Sequence, residues 1–159
     1  MKRIVAGALL LLGLFSSTVR AEGTEGNGGS SFALGLQLGG SDGGGFSGIT
    51  ARVGREHTIE GIFAFDGGNH GWIVNGNYLV HSHNLFHQAP ITSIKFYGGF
   101  GVGVWAGHET GFWAQVPLGV DFGFAIPVEA SLYIAPGINL VPSTDPNIHF
   151  GLGIRYWFM

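Results

Sequence analysis

The stretch Ile-His-Phe-Gly-Leu-Gly-Ile-Arg-Tyr-Trp-Phe, residues 148–158, decides the fold. Successive side chains of a strand point to opposite faces. One face of this stretch is almost wholly apolar: Ile148, Phe150, Leu152, Ile154, Tyr156 and Phe158. The other carries small, polar or charged residues and one tryptophan: His149, Gly151, Gly153, Arg155 and Trp157. The apolar face turns inward in a soluble sandwich but meets lipid in a membrane barrel, so the rest of the chain must decide.

The N-terminus has the pattern of a signal peptide. Lys2 and Arg3 precede an uncharged apolar run at residues 4–15, which suits a secretory signal and is too short to span a bilayer. Val19-Arg20-Ala21 is a small-residue cleavage site, in which Arg20 is unusual. We therefore expect a signal peptide at residues 1–21, a flexible Gly/Ser/Asn-rich lead-in at 22–31, and one folded domain at 32–159.

The composition favours a membrane protein and excludes several other classes. The chain is 45% hydrophobic and only 11% charged, where a soluble domain has about a quarter of its residues charged. Three of the seven Lys and Arg residues lie in the predicted signal, which leaves four basic against ten acidic residues. Nucleic acid is therefore not an expected partner, because binding its backbone needs basic clusters. The absence of cysteine excludes disulfides, thiolate metal sites and lipid attachment at a lipobox.

Seven further segments repeat the alternation of the last one, and turn-rich stretches separate them. We predict strands at residues 32–39, 46–53, 57–65, 71–81, 93–105, 110–124, 128–140 and 148–158. Almost every strand has one face free of charge. Pro136 lies on the apolar face of the seventh and indicates a bulge or local edge, because proline cannot donate to the ladder. The pattern predicts an all-β fold, a single antiparallel up-and-down transmembrane β-barrel of about eight strands, at residues 32–159.

Turning the polar faces inward gathers six charged residues inside the barrel: Arg52, Glu60, Lys95, Asp121, Glu129 and Arg155. Unpaired charge is costly in an enclosed space, so we expect ion pairs, with Glu60, Asp121 and Glu129 as partners of Arg155. Eight strands enclose only enough room for side chains. The set therefore predicts a polar plug that closes a narrow barrel, and a gated pore or proton path is the alternative.

The densest cluster of reactive side chains follows the fourth predicted strand. His81, His83 and His87 are candidate ligands for Zn²⁺ or Cu²⁺, because imidazoles two apart on a strand share a face. A histidine and a serine near a carboxylate would suit an esterase, with Ser82 as the nucleophile. The favoured interpretation is a polar turn with histidines, so we expect neither a metal nor another cofactor.

The C-terminal residues resemble the assembly signal of Gram-negative outer-membrane barrels, with Tyr156, Trp157 and Phe158 as its aromatic end. Met159 departs from that pattern, which ends on the aromatic residue. The strand count and ionic interior resemble the small OmpA-like eight-stranded outer-membrane β-barrel family, and the chain is similar to uncharacterised spirochaetal barrels. The resemblance implies location in the cell outer membrane, with membrane lipid and the barrel-assembly machinery as partners. It also implies periplasmic termini, so that the connections near Asp42, Gly67, His108 and Asp145 are external.

The function that follows is structural or interactive rather than catalytic. We expect a monomeric integral outer-membrane barrel whose short loops present a surface to an external ligand. A narrow pore for ions or small solutes is the main alternative. A lipid-modifying enzyme is less favoured, because the order His-Ser-His-Asn at residues 81–84 does not match the His-x-Ser-Asn of barrel lipid A deacylases. A soluble lipocalin-like binding barrel also fits the signal and the alternation.

Overall fold

The computed structural model describes residues 31–41, 44–67, 71–85, 90–107 and 109–158. The predicted signal peptide lies outside these residues, as does the predicted lead-in except for Ser31. Asp42, His87, His108 and Met159 also lie outside them. Ser31 is buried, and its main chain and hydroxyl both bond to Gly54.

The described residues form nine β-strands and no helix. In chain order the strands are β1 (Phe32–Ser41), β2 (Gly44–Gly54), β3 (His57–Asp66), β4 (Trp72–His81), β5 (Ile91–Ala106), β6 (Thr110–Gln115), β7 (Leu118–Phe124), β8 (Val128–Val141) and β9 (Pro146–Phe158). Within the described ranges, no helix is long and apolar enough to cross a membrane.

Every strand pairs antiparallel with its neighbours, and the sheet closes on itself. Each strand from β1 to β5 pairs with the next, β6 and β7 both pair with β5 and β8, and β8 pairs with β9. The last strand then pairs with the first, from Phe32 opposite Phe158 to Ser41 opposite His149. The predicted fold class is thereby confirmed as a closed barrel of eight strands, the sixth made of β6 and β7.

Two prolines explain why the sixth strand is split. The prediction of one strand at residues 110–124 is wrong at Val116 and Pro117, although the register against both neighbouring strands is the same at Gln115 and at Leu118. Val116 N donates to Pro136 O at 2.9 Å, and Gly99 N donates to Pro117 O at 3.0 Å. Because proline has no N–H, neither residue can donate a hydrogen bond back to the strand opposite. β8 itself continues through Pro136 without a bulge against β9.

The barrel is apolar outside and polar inside, the reverse of a soluble sandwich. The outer face carries a belt of exposed large apolar side chains, of which Leu36 is 67% exposed and Phe100 65%. The buried residues include many polar and charged ones, from Gln37 and Thr50 to Arg52 and Arg155. The predicted orientation of the faces is therefore correct.

The barrel has two rims, which the connections define. The terminal rim holds the start of β1, the end of β9 and the connections β2–β3, β4–β5 and β7–β8. The far rim holds the connections β1–β2, β3–β4, β5–β6 and β8–β9. At the terminal rim Gly54 has φ 109°, and a Cβ there would lie 2.1 Å from the carbonyl oxygen of His57. Glycine is thus required at the tight β2–β3 turn.

Candidate functional site

A buried ion pair between β2 and β3 is the start of the interior site. The register sets Arg52 directly opposite Glu60, and both side chains point into the lumen. Arg52 Nε donates to Glu60 Oε1 at 2.8 Å, and the side chains are 1% and 5% exposed. The alternation of each strand and the tight turn between them therefore suffice to form this pair.

Arg52 also reaches the opposite wall of the barrel. Its Nη1 donates to Asp121 Oδ2 at 2.7 Å and to Glu129 Oε1 at 3.2 Å. Its guanidinium carbon lies 5.0 Å from the ring centroid of Tyr97, within the range of a cation–π contact. Asp121 lies on β7, four strands from β2 in either direction around the barrel. The bond between Arg52 and Asp121 therefore crosses the whole lumen.

Arg155 on β9 makes a second set of contacts beside the first. Its Nη2 lies 2.7 Å from Glu60 Oε1, and its Nη1 lies 3.5 Å from Glu129 Oε1 and 4.0 Å from Asp121 Oδ1. Its Nη1 also donates to Ser131 Oγ at 2.8 Å. All three carboxylates expected to be partners of Arg155 are thus within 4.0 Å of it.

Neutral side chains add hydrogen bonds to Glu60 and Glu129, and sequence reasoning did not identify these donors. Asn77 Nδ2 donates to Glu60 Oε2 at 2.9 Å, and Trp157 Nε1 donates to Glu129 Oε2 at 3.2 Å. Trp157 is the exception on the polar face of the last strand, and this contact explains why a large ring is found there. These asparagine and tryptophan N–H groups donate to the carboxylate oxygens that receive no hydrogen bond from the two arginines.

His81 joins the cluster through Asp121. Its Nε2 lies 2.9 Å from Asp121 Oδ2, and its Nδ1 lies 3.4 Å from the Thr58 hydroxyl. An ionised carboxylate only accepts, so Nε2 carries the hydrogen. Two arginines face three carboxyl groups here, and the His81 N–H adds a further donor to this acceptor-rich cluster.

Lys95 corrects the predicted set of six charged residues. It lies on the inward face of β5 in register with Asp121, yet it makes no ion pair with any residue that the structure describes. Asp121 Oδ2 already accepts from Arg52 and His81. Lys95 is half-buried rather than enclosed. The structure therefore joins five of the six residues and leaves Lys95 beside them.

The histidine cluster is not drawn together as a metal site. His81 points into the lumen, His83 is exposed, and His87 lies outside the described residues. Among the described residues, no three His, Cys, Asp or Glu side chains are placed to hold a metal ion. Ser82 Oγ donates to His83 O and accepts from Phe96 N at 3.0 Å. The serine hydroxyl thus fastens the connection to β5 through main-chain bonds.

The interior toward the far rim is built of aromatic and amide side chains. Trp113 Nε1 donates to Gln115 Oε1 at 2.9 Å, and Gln115 Nε2 donates to Asn77 Oδ1 at 3.0 Å. His149 Nδ1 lies 3.0 Å from the same Gln115 oxygen. Gln115 therefore links the aromatic side chains to the shell of Glu60 through Asn77.

Glycines make room for two tryptophans between β5 and β6. The register sets Gly103 opposite Trp113 and Trp105 opposite Gly111. A Cβ on Gly103 would lie 2.1 Å from the Trp113 ring, and one on Gly111 would lie 1.8 Å from the Trp105 ring. The two indole rings lie 5.5 Å apart at a tilt of 34°. Each ring thus lies over the glycine of the neighbouring strand.

The C-terminal aromatic residues lie on β9, at the seam where β9 pairs with β1 and closes the barrel. Tyr156 and Phe158 are exposed on the outer face, with ring centroids 4.9 Å apart, and Phe32 lies 5.9 Å from Phe158. Trp157 N donates to Pro127 O at 2.8 Å. The predicted assembly signal therefore presents two rings outward and one inward.

The chain matches no protein-family model and no curated protein. Two solved structures share its fold. The N-terminal β-barrel domain of Pseudomonas aeruginosa OprF aligns with 80% of this chain and 97% of its own, at 13% identity and a TM-score of 0.62. Neisserial surface protein A (NspA) aligns with 84% of this chain and 100% of its own, at 12% identity and a TM-score of 0.52. Both are outer-membrane β-barrels, and the predicted similarity to spirochaetal barrels stays a prediction.

Proposed function

We propose that this protein is a small integral barrel of the cell outer membrane with a structural or surface-interaction role. The observation that carries the proposal is the combination of an apolar outer belt with a charged interior. Strands of 10 residues or more, such as β1, β3 and β4, are long enough for the 9–11 residues that a tilted strand needs to span a bilayer. Exposed apolar patches of this extent are rare on soluble monomers.

The interior supports a scaffold rather than an open channel. The Arg52–Asp121 bond crosses the lumen, and Arg155 contacts carboxylates from β3, β7 and β8 around it. Side chains of Arg52 and Arg155 are each only 1% exposed. A free solute would have to displace these paired charges to pass, and breaking a buried pair is expensive.

The orientation and assembly belong to the same proposal. Tyr156, Trp157 and Phe158 serve as the signal for the barrel-assembly machinery, and the terminal rim faces the periplasm. The far rim then lies outside, where its short connections meet an external ligand. The protein acts as a monomer with membrane lipid as its main contact.

A charged substitution in the outer belt tests membrane residence. Leu36 lies in the middle of β1, where a lipid-facing lysine costs about 2–4 kcal/mol. We expect L36K to lower the amount of heat-modifiable protein in the outer-membrane fraction of a Gram-negative host. L85K is the matched control, because Leu85 is 60% exposed but lies outside the strands. Equal tolerance of both variants, with protein released in the soluble periplasm, would favour the lipocalin-like barrel instead.

Planar-bilayer recording tests the narrow-pore alternative. The paired interior leads us to expect no reproducible single-channel steps from the refolded protein. Reproducible steps that R52A changes or abolishes would replace the scaffold with a pore.

Mass spectra of lipid A from cells with and without the protein test the lipid-modifying alternative, and a new acylation state would overturn the non-enzymatic role.

A further inference from the structure

Asn75 is a buried side chain whose carbonyl oxygen lacks a hydrogen bond. It lies on the inward face of β4 and is 6% exposed. Among the residues that the structure describes, Asn75 Oδ1 has no donor within hydrogen-bonding distance. Asn77, two residues further along the same strand, donates to Glu60 and accepts from Gln115. Buried carbonyl groups are rarely left unpaired, because an unmade bond is costly, so a donor is expected at Asn75.

Asn75 lines a small cavity inside the barrel, on the side of the far rim. The cavity has a volume of about 30 Å³. Space of about 10–15 Å³ is enough to hold one water, whereas sites for drug-sized ligands begin at about 300 Å³. Ile62, Ile73 and Trp113 form apolar parts of its wall, and Ser41, Tyr133 and His149 contribute polar groups beside that of Asn75. The cavity therefore suits one or two waters and excludes a larger molecule.

Two N–H groups in the cavity wall are directed at Gln115 rather than at Asn75. Trp113 Nε1 donates to Gln115 Oε1 at 2.9 Å, and His149 Nδ1 lies 3.0 Å from the same oxygen. The direction of these bonds is fixed, because Gln115 Nε2 donates to Asn77 Oδ1 and Asn77 Nδ2 donates to the Glu60 carboxylate. An ionised carboxylate only accepts, so Gln115 Oε1 is the acceptor for both rings. The donor for Asn75 Oδ1 must therefore be a small molecule in the cavity.

We infer that this cavity is a binding site for ordered water, and that one water donates a hydrogen bond to Asn75 Oδ1. Buried waters bond to two to four polar groups, and the Ser41, Tyr133 and His149 side chains supply further ones in the same cavity. A metal ion is disfavoured, since no three ligating side chains converge among the described residues. The water links β4 to strands across the lumen, as ion pairs do toward the terminal rim. The inference goes beyond the proposed function and does not depend on it.

Nuclear Overhauser effects between water and buried methyl groups test the inference. The full mature chain is refolded in detergent micelles with labelled isoleucine and leucine methyls. Ile62 is 5% exposed and lines the cavity, whereas Leu79 is 0% exposed and lies outside it. We expect a cross-peak from water to the Ile62 methyl, with the sign of a water that tumbles with the barrel, and none to Leu79. No cross-peak to Ile62, or equal cross-peaks to both residues, would overturn the inference.

Two substitutions in the cavity wall separate a bond to Asn75 from the packing around it. N75L removes the carbonyl, and we expect it to abolish the cross-peak to Ile62 and to lower the denaturant midpoint of unfolding. I73V is the matched control, because it keeps Asn75 and only widens the cavity, so the cross-peak should persist. A cross-peak retained in N75L, or lost in both variants, would refute the bond to Asn75. A midpoint of N75L at or above that of the unmodified protein would show that the carbonyl is unsatisfied in the folded barrel, which also overturns the inference.

Discussion

The two halves of the barrel interior are built on different physical principles. The ion-paired half, toward the terminal rim, is held by Arg52, Glu60, Asp121, Glu129 and Arg155. The aromatic half, toward the far rim, is held by Trp105, Trp113, Gln115, Tyr133 and His149 and by the glycines beneath the indoles. The aromatic half contains an interior cavity of about 30 Å³, which Trp113, Tyr133 and His149 help to line.

The difference shows two ways to fill a narrow lumen. Arginine and carboxylate side chains are long enough to meet across the barrel, so a few of them close it and tie distant strands together. Indole rings fill volume beside their own strand and need glycine opposite them. Loss of one charged partner should therefore destabilise the ion-paired half. The aromatic half should instead be destabilised when a side chain is added at a glycine that makes room for an indole.

The largest expected effect comes from removing one arginine of the ion-paired half. R155M leaves Glu60, Asp121 and Glu129 with one arginine between them, and we expect a loss of about 3–5 kcal/mol in the free energy of unfolding. Denaturant titration of the refolded barrel in vesicles measures it. R55M is the matched control, because the Arg55 side chain is exposed and, among the described residues, bonds only to Ser31 Oγ at 3.3 Å. Similar losses of unfolding free energy in R155M and R55M would show that the interior ion pairs stabilise the barrel no more than an exposed arginine does.

Two carboxylates of the same half should differ from each other. E60Q and E129Q change the charge of the cluster equally, but Glu60 accepts from Arg52, Arg155 and Asn77 and is the more buried. We expect E60Q to lose about 2–3 kcal/mol and E129Q about 1 kcal/mol. The same titrations give both values. An equal or reversed order would mean that net charge, rather than the hydrogen bonds, sets the stability of this half.

A methyl group should disturb the aromatic half where glycine leaves room for a ring. G103A places a Cβ 2.1 Å from the buried Trp113 ring, and we expect a loss of about 1–3 kcal/mol with an altered near-UV circular dichroism signal. G61A is the control, since a Cβ on Gly61 meets nothing within 4 Å. If G103A matched G61A in stability and spectrum, the fitted packing of Trp113 would be refuted.

The smallest expected effect is that of replacing Lys95, which lies at the edge of the ion-paired half. Lys95 makes no ion pair with the described residues, so K95M should change the free energy of unfolding by less than about 0.5 kcal/mol. The measurement is the same denaturant titration. A loss comparable to that of R155M would place Lys95 inside the network and restore the predicted set of six.

The sequence predicted the fold well because its signal is local. A period of two assigns each residue to a face, and the predicted strand at residues 57–65 differs from β3 by one residue. The same period does not predict how far along the barrel axis a side chain lies, or which residue it contacts across the lumen. His81 was therefore not recognised as a neighbour of Asp121, and Lys95 was placed in a network it does not join. Pro117 was overlooked because its position preserves the alternation of the strand it interrupts.

The contacts of Arg52 and Arg155 have a consequence for the order of folding. Arg52 and Glu60 are 8 residues apart and can meet within one hairpin, but Arg52 is 69 residues from Asp121, and Arg155 is 95 from Glu60. Contacts so distant in sequence form late, because loop-closure entropy must be overcome first. Until β9 meets β1, these arginines have no carboxylate from across the lumen and must stay hydrated. We therefore expect the pairing of β9 with β1 and the expulsion of that water to occur together, as a late step of barrel folding.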